Sequence, residues 1–280
     1  MPELLVADAG LLAENPLWDE ESKTLAWTDI DNGLLLAWSA DSNSKSTRIY
    51  HGPQVGGFTR QRDGSLLLFR VEDIAVLNAD GTVRSVARCA DPGSIRFNDV
   101  VADPLGRVFA GTIGQTPDSG GVFRIDYDGS IHKVIGSTGI SNGMGFSPDR
   151  RTMYWTCSTT ARIWAYDYDV GSGRLGARRC IQEPPADGAL PDGLTVDAEG
   201  CLWSARWDGS CVVRMDPTGR IMTTIPMPTR NVTSLTFGGP DLRDLFITSA
   251  ADAAHPHGAL HRVRAAGQGV SEFRSAIVTS

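Results

Sequence analysis

The chain is 280 residues long and 41% hydrophobic, with 31 glycines, 15 prolines and a formal net charge of −7. That length and apolar content support a sizeable core, and single all-β domains often reach this size. The acidic balance, with Lys and Arg scattered rather than clustered, argues against nucleic acid or an anionic membrane surface as the main partner, and no apolar run approaches the ~18 residues of a membrane span.

In chain order the first predicted element is a strand at ELLVAD, residues 3–8. It precedes the first repeat and is expected to pair with the last one, closing a ring and removing an exposed edge. ENPLWDEE, from Glu14, then reads as a short apolar strand running into a polar turn, with TLAWTDI and LLLAWS as its second and third strands. The pattern returns at Gly56 (GGFTRQRDG, then SLLLFRV and DIAVLN) and at Asn98 (NDVVADPLG, then RVFAGTI and GVFRID). It returns again at Asn142 (NGMGFSPDR, then TMYWTCS and RIWAYDY), at Asp192 (DGLTVDAEG, then CLWSARW and CVVRMD) and at Thr233 (TSLTFGGPD, then DLFITSA and ALHRVR). Turn signals such as DG at 80–81, DG at 128–129 and PTG at 217–219 lead to a fourth, outer strand. No stretch shows sustained helical periodicity with caps. A repeat of roughly 40–50 residues is the period of propeller blades. The expected fold is therefore all-β: a six-bladed β-propeller spanning residues 1–280 as one domain, with a central channel. The Pro- and Gly-rich stretch 183–193 is expected to be a loop on the channel face, and SEFRSAIV, from Ser271, is an alternative closing strand.

Aligned on the turn, the six repeats place Glu14, Gly56, Asn98, Asn142, Asp192 and Thr233 at one position. In a propeller the innermost strands line the channel, so these residues form a ring. Asn and Asp before Gly are also ordinary turn residues. Glu14 is not, because Glu is depleted in strands, and a carboxylate entering a central strand needs a partner or a metal. Two carboxylates and two amides suit a hard divalent cation. The metal ligands expected are Glu14, Asn98, Asn142 and Asp192, and four protein oxygens leave coordination positions open for water and substrate, as at a catalytic ion. Arg96, two residues before Asn98, can reach a substrate oxygen or pair with Asp99; Asp99 itself should face away from the channel ligand.

Five cysteines form no CxxC pair (Cys89, Cys157, Cys180, Cys201, Cys211), and the default is reduced thiols in a cytoplasmic protein. Cys201 and Cys211 could face each other across a hairpin. His255 and His257 are expected in an exposed loop, and Trp207 in the core or facing the pocket. The serines lie in no GxSxG context and no phosphate loop is present.

ENPLW at 14–18, RFND at 96–99, SNGMGFSPD at 141–149, PDGLTVDAEGCLW at 191–203 and TSLTFGG at 233–239 together resemble the SMP-30/gluconolactonase/luciferin-regenerating family, which includes regucalcin-like proteins and bacterial sugar lactonases. The resemblance covers nearly the whole chain in order. It implies a six-bladed propeller with one divalent metal held by Glu14, Asn142 and Asp192, with Arg96 and Asn98 contacting metal-bound water or substrate and Asp192 as general base. Two positions depart from the family pattern: Asn15 stands where Gly is common, which is expected to alter the pocket wall, and Gln115 and Thr116 stand where some sugar lactonases carry a substrate-binding acid.

The function expected is metal-dependent hydrolysis of a small lactone, a sugar-derived aldonolactone first, with the ion polarising the carbonyl and Asp192 assisting the attack of water. Ca2+ is the preferred ion, and Mg2+, Mn2+, Zn2+ and Fe2+ are alternatives. The expected partner is a small-molecule lactone, with neither nucleic acid nor membrane. A phosphotriesterase-like hydrolase and a non-catalytic calcium-binding propeller are the rival readings.

Overall fold

The computed structural model describes residues 1–42, 45–88 and 91–278. They form six four-stranded antiparallel sheets, each running from an inner strand outwards. Blade 1 is Ala13–Asp19, Thr24–Asp29, Leu34–Ser39 and Thr47–His51. The inner strands of blades 2 to 6 are Val55–Arg60, Ser94–Ala102, Ser141–Phe146, Leu190–Val196 and Val232–Gly238. All six blades therefore start where the repeat puts them. The last blade takes Glu3–Gly10 as its outer strand, with Leu4 opposite His261 and Val6 opposite Leu260. The first strand thus closes the ring and covers the edge of Gly258–Val263.

The polar turns after the inner strands have a common cause. Asp19, Asp63, Asp103, Asp149 and Asp197 each accept a backbone N–H from two residues further on, which is how Asp closes a tight turn. Between blades the core is apolar. Leu67, Phe69, Ile74 and Val76 of blade 2 pack against Phe97, Val100 and Val108 of blade 3, and Trp18 stacks on Phe246 across the closure with ring centroids 5.4 Å apart.

Each inner strand carries a break in register at the ring position: between Glu14 and Leu17, Val55 and Gly57, Phe97 and Val100, Ser141 and Met144, Pro191 and Leu194, and Val232 and Ser234. A bulge bends the strand and re-aims the side chain it carries. Six bulges at one level point the ring residues away from the blade-to-blade packing.

The inner strands approach closely at this level. A Cβ on Gly56 would lie 2.1 Å from the carbonyl oxygen of Phe97, and one on Gly143 would lie 2.3 Å from the amide nitrogen of Leu194. Both obstacles are backbone, which cannot rotate aside. Gly143→Ala is expected to force blades 4 and 5 apart and cost about 3 kcal/mol or more. Gly136→Ala, whose Cβ would meet nothing closer than 4.0 Å, should stay within about 0.5 kcal/mol. Denaturant midpoints of the two variants check this.

The C-terminal segment does not close the ring. It crosses the propeller at the end where the inner strands finish. Ser275 bridges to Gln61, the amide of Ile277 donates to Gln61 Oε1 at 2.9 Å, and Arg274 reaches Asp19 and Glu21 of blade 1. Phe273 packs against Phe146 of blade 4.

The hairpin pairing of Cys201 with Cys211 does not occur. Cys211 lies opposite Arg206, and Cys201 precedes that strand at its other end. Cys157, Cys180, Cys201 and Cys211 are free thiols, and Cys89 lies outside the described residues.

Candidate active site

One mouth of the channel holds a cavity of about 210 Å³. Glu14 of blade 1, Asn98 of blade 3, Asn142 of blade 4 and Asp192 of blade 5 all line it, with Arg96 and Ser158. The four ring side chains are buried, and form its floor. Above them Leu12, Ile113, Ile140, Leu190 and Trp207 are half-exposed and form an apolar rim. Only 183–189 of the expected loop lies outside strands, because the fifth inner strand already begins at Leu190; Leu190 and Asp192 bring this stretch to the channel face, and Trp207 faces the pocket. Of the other two ring positions, Gly56 is filled by the backbone of blade 3, and the Thr233 hydroxyl donates to the carbonyl of Ala13 and lies 2.9 Å from that of Thr248.

The floor is knitted together by side-chain amides. Asn98 Nδ2 donates to the carbonyl of Ser141 at 3.0 Å and to Asn142 Oδ1 at 3.1 Å. Asn142 Nδ2 donates to Ser158 Oγ at 3.0 Å, and Ser158 in turn donates to the carbonyl of Pro191 at 2.7 Å. The Asn142 amide is thus fixed at both ends, its oxygen by Asn98 and its NH2 by Ser158. Ser158 is a site residue for which the sequence carries no signal, because it merely follows the second strand of its blade.

Arg96 donates to Asn98 Oδ1 at 2.7 Å and to the carbonyl of Phe97 at 2.9 Å. The alternative pairing with Asp99 does not form. Asp99 faces away from this cavity, as its alternation with Asn98 requires, and lines a second chamber of about 40 Å³ further along the channel with Asn15, Thr59, Ser234 and Glu272. That volume suits about one or two waters.

Asn15 lies in the second chamber rather than in the pocket wall, which corrects the expectation from sequence. Its φ of 48° is left-handed, a conformation that Gly adopts freely and Asn tolerates. Its amide accepts the N–H of Phe58 at 2.7 Å and donates to Asp99 Oδ1 at 3.3 Å. Gln115 and Thr116 sit outside the pocket, bonded to Pro92 and Asp118, and the side chain that this strand gives to the cavity is Ile113.

The electrostatics are those of an overloaded acidic site. Burial pushes Glu14 up to about 8, and the Asp99 charge adds to the shift. Burial also raises Asp192 well above the usual carboxylate range, with Glu14 and Asp99 pushing the same way. Arg96 is the nearby cation that opposes both shifts, and its own pKa is lowered by burial. Asp192 Oδ1 is buried with no hydrogen-bond partner. A buried carboxylate oxygen without a partner is costly. Hard oxygen donors, clustered carboxylates and one orphaned oxygen together fit a divalent cation.

Other polar groups lie elsewhere. His255 bonds Asp252 and His257 lies near Asp8, both outside the channel cavity. Asp197, Glu199 and Cys201 bring three possible ligand atoms within 4.8 Å of one another. The Asp197 carboxylate there is already taken by Trp203, Arg214 and turn amides.

The class this defines is a six-bladed β-propeller with a carboxylate-bearing pocket at one mouth of its channel. A family model described as SMP-30/Gluconolactonase/LRE-like region matches residues 12–251, and the chain belongs to that family. Among its relatives, pentonolactonase XacC of Haloferax volcanii is 40% identical over 279 residues, covering 94% of each chain. Regucalcin of Xenopus laevis is 33% identical over 260 residues, covering 89% of this chain and 87% of its own length. The crystal structure of a calcium-binding protein, regucalcin, from Agrobacterium tumefaciens superposes with a TM-score of 0.91 at 25% identity, covering 98% of this chain and 97% of that one.

Proposed function

We propose that the protein is a lactonase that opens a small sugar-derived lactone at this pocket and depends on one divalent cation, with Ca2+ first among the candidates. The observation that carries the reading is the unpartnered, buried oxygen of Asp192 in a cavity that a second carboxylate and two side-chain amides also line. The relative named pentonolactonase supports the substrate class, and the regucalcin described as calcium-binding supports the ion.

Glu14, Asn142 and Asp192 would hold the cation, with Asn98 beside them. Bound there, it supplies Lewis-acid polarisation of the lactone carbonyl. The chain supplies the rest. Asp192 accepts a proton from the attacking water and returns it to the ring oxygen as the acyl C–O bond breaks, giving the open hydroxy acid. Arg96 presents guanidinium N–H groups to the lactone or hydroxyl oxygens, and the Asn98 it bonds fixes the register of the substrate. Ser158 fixes the Asn142 amide by accepting from its NH2. The apolar rim limits bulk water and strengthens every polar interaction below it.

Arg96→Ala tests the division of labour. It should raise KM about tenfold or more, the usual worth of a hydrogen bond to a charged group. Cation affinity should not fall, because the variant removes a positive charge from beside the acids. Lactone kinetics and a calcium titration on the same preparation read both. A parallel assay on organophosphate triesters should show turnover far below that on lactones; the reverse order would assign the pocket to phosphoester hydrolysis.

A further inference from the structure

Polarity divides the pocket by depth. Five polar side chains lining it are buried at floor level, Glu14, Asn98, Asn142, Ser158 and Asp192; Arg96 is half-exposed, with its guanidinium tied down to Asn98 Oδ1 and the carbonyl of Phe97. The rim, which the far end of a bound ring must meet, is Leu12, Ile113, Ile140, Leu190 and Trp207. Ile113 and Ile140 come together through a bridge between blades 3 and 4, so this side of the rim is held by backbone pairing and not by mobile side chains alone. The cavity, at about 210 Å³, is smaller than the ~300–1,000 Å³ of sites for drug-sized ligands, so a single small ring fills it from floor to rim.

We infer that the substrate is a small aldono-1,4-lactone deoxygenated at its far end: hydroxylated beside the carbonyl and carrying hydrogen or a short alkyl group in place of the terminal hydroxyl. The inference rests on the lactonase reading and narrows it. The carbonyl and its adjacent hydroxyl face the floor, where Arg96 can donate and Asp192 can accept. The ring carbon remote from the carbonyl, with its substituent, faces Ile113, Ile140 and Leu190. A hydroxyl against these half-exposed aliphatic side chains exchanges part of its water for contacts that offer no hydrogen bond. A methyl group in its place gains apolar contact.

A matched set of substrates tests this: a pentono-1,4-lactone, its 5-deoxy counterpart and a hexono-1,4-lactone, each with the wild-type protein in excess Ca2+ and with Ile113→Gln. The wild type should favour the 5-deoxy lactone over its parent by about tenfold or more in kcat/KM, the scale on which an apolar pocket separates ligands that differ by one hydroxyl. The hexonolactone, with a second hydroxylated carbon at the rim, should be slower still. Ile113→Gln places a donor and an acceptor at the rim and should bring the matched pair to within about threefold. Equal or inverted preference in the wild type overturns the inference while leaving a lactonase. An unchanged preference in Ile113→Gln overturns the assignment to the rim. Failure of the wild type to open any of the three lactones overturns the lactonase reading and this inference with it.

Discussion

Asp192→Asn is expected to remove most of the lactone turnover, lowering kcat by about 10²–10⁴, the usual worth of a general base. The substitution keeps an oxygen that can face a cation and keeps the side-chain shape, so cation binding should weaken only modestly. The distinction matters because Asp192 is asked to do two things. Asn142→Asp makes the complementary change: it adds charge at the floor without supplying or removing the base. It should bind the cation at least as tightly, with turnover reduced because the added negative charge weakens the ion's pull on the carbonyl. Kinetics at saturating cation, with affinities measured separately, resolve the two effects. Near wild-type turnover by Asp192→Asn would remove Asp192 from the role of base.

The second large effect is on stability, and its sign follows from the raised carboxylates. Without a cation, the folded protein holds protons on Glu14 and Asp192 at a pH where the unfolded chain has released them. The native state then binds more protons than the unfolded one, so stability falls as pH rises. For Glu14 the fall begins near its ordinary value of 4.5 and continues until about 8. Asp99, pushed by burial to about 7, adds to the same trend. A cation displaces the protons on Glu14 and Asp192, so its affinity should rise with pH across that window and its binding should release protons. At a thousandfold excess over Kd the cation should add about 4 kcal/mol to stability. Thermal unfolding in chelator and in excess Ca2+, at pH 6 and at pH 8, should show the gap between the two curves widening at the higher pH. A gap that narrows would mean that these carboxylates are not what the ion binds.

The fold was legible because blade formation is local. Alternating apolar strands and Asp-closed turns recur at a near-constant period, and each inner strand begins within a few residues of the position its turn predicts. That Glu14, Asn98, Asn142 and Asp192 line one cavity was legible for the same reason, since equal phase in equal repeats means equal height in the channel. What the sequence could not carry was long-range or conformational. The bulges that aim the ring side chains have no residue signature common to Glu14-Asn15, Asn98-Asp99 and Asp192-Gly193. The left-handed φ of Asn15 turns its amide into the lower chamber, and a neighbour-by-neighbour reading puts it on the pocket wall instead. Ser158 reaches Asn142 from the turn after the second strand of the blade, and the rim is assembled from blades 1, 3, 4 and 5. The terminal segment reads as a strand, yet it lies across the propeller because Glu3–Gly10 already fills the open edge.

The central claim is that the ring of Glu14, Asn98, Asn142 and Asp192 is a cation-dependent lactone-opening centre. The measurement that bears on it most directly is acid release from a pentono-1,4-lactone, followed at constant pH, by protein stripped with chelator and then given back one divalent ion at a time. The expected result is a rate at background in the stripped protein, restored by Ca2+ or another hard cation, and not restored in a Glu14→Gln, Asp192→Asn double variant that remains folded. Equal turnover with and without the ion, or full restoration in the double variant, would contradict it.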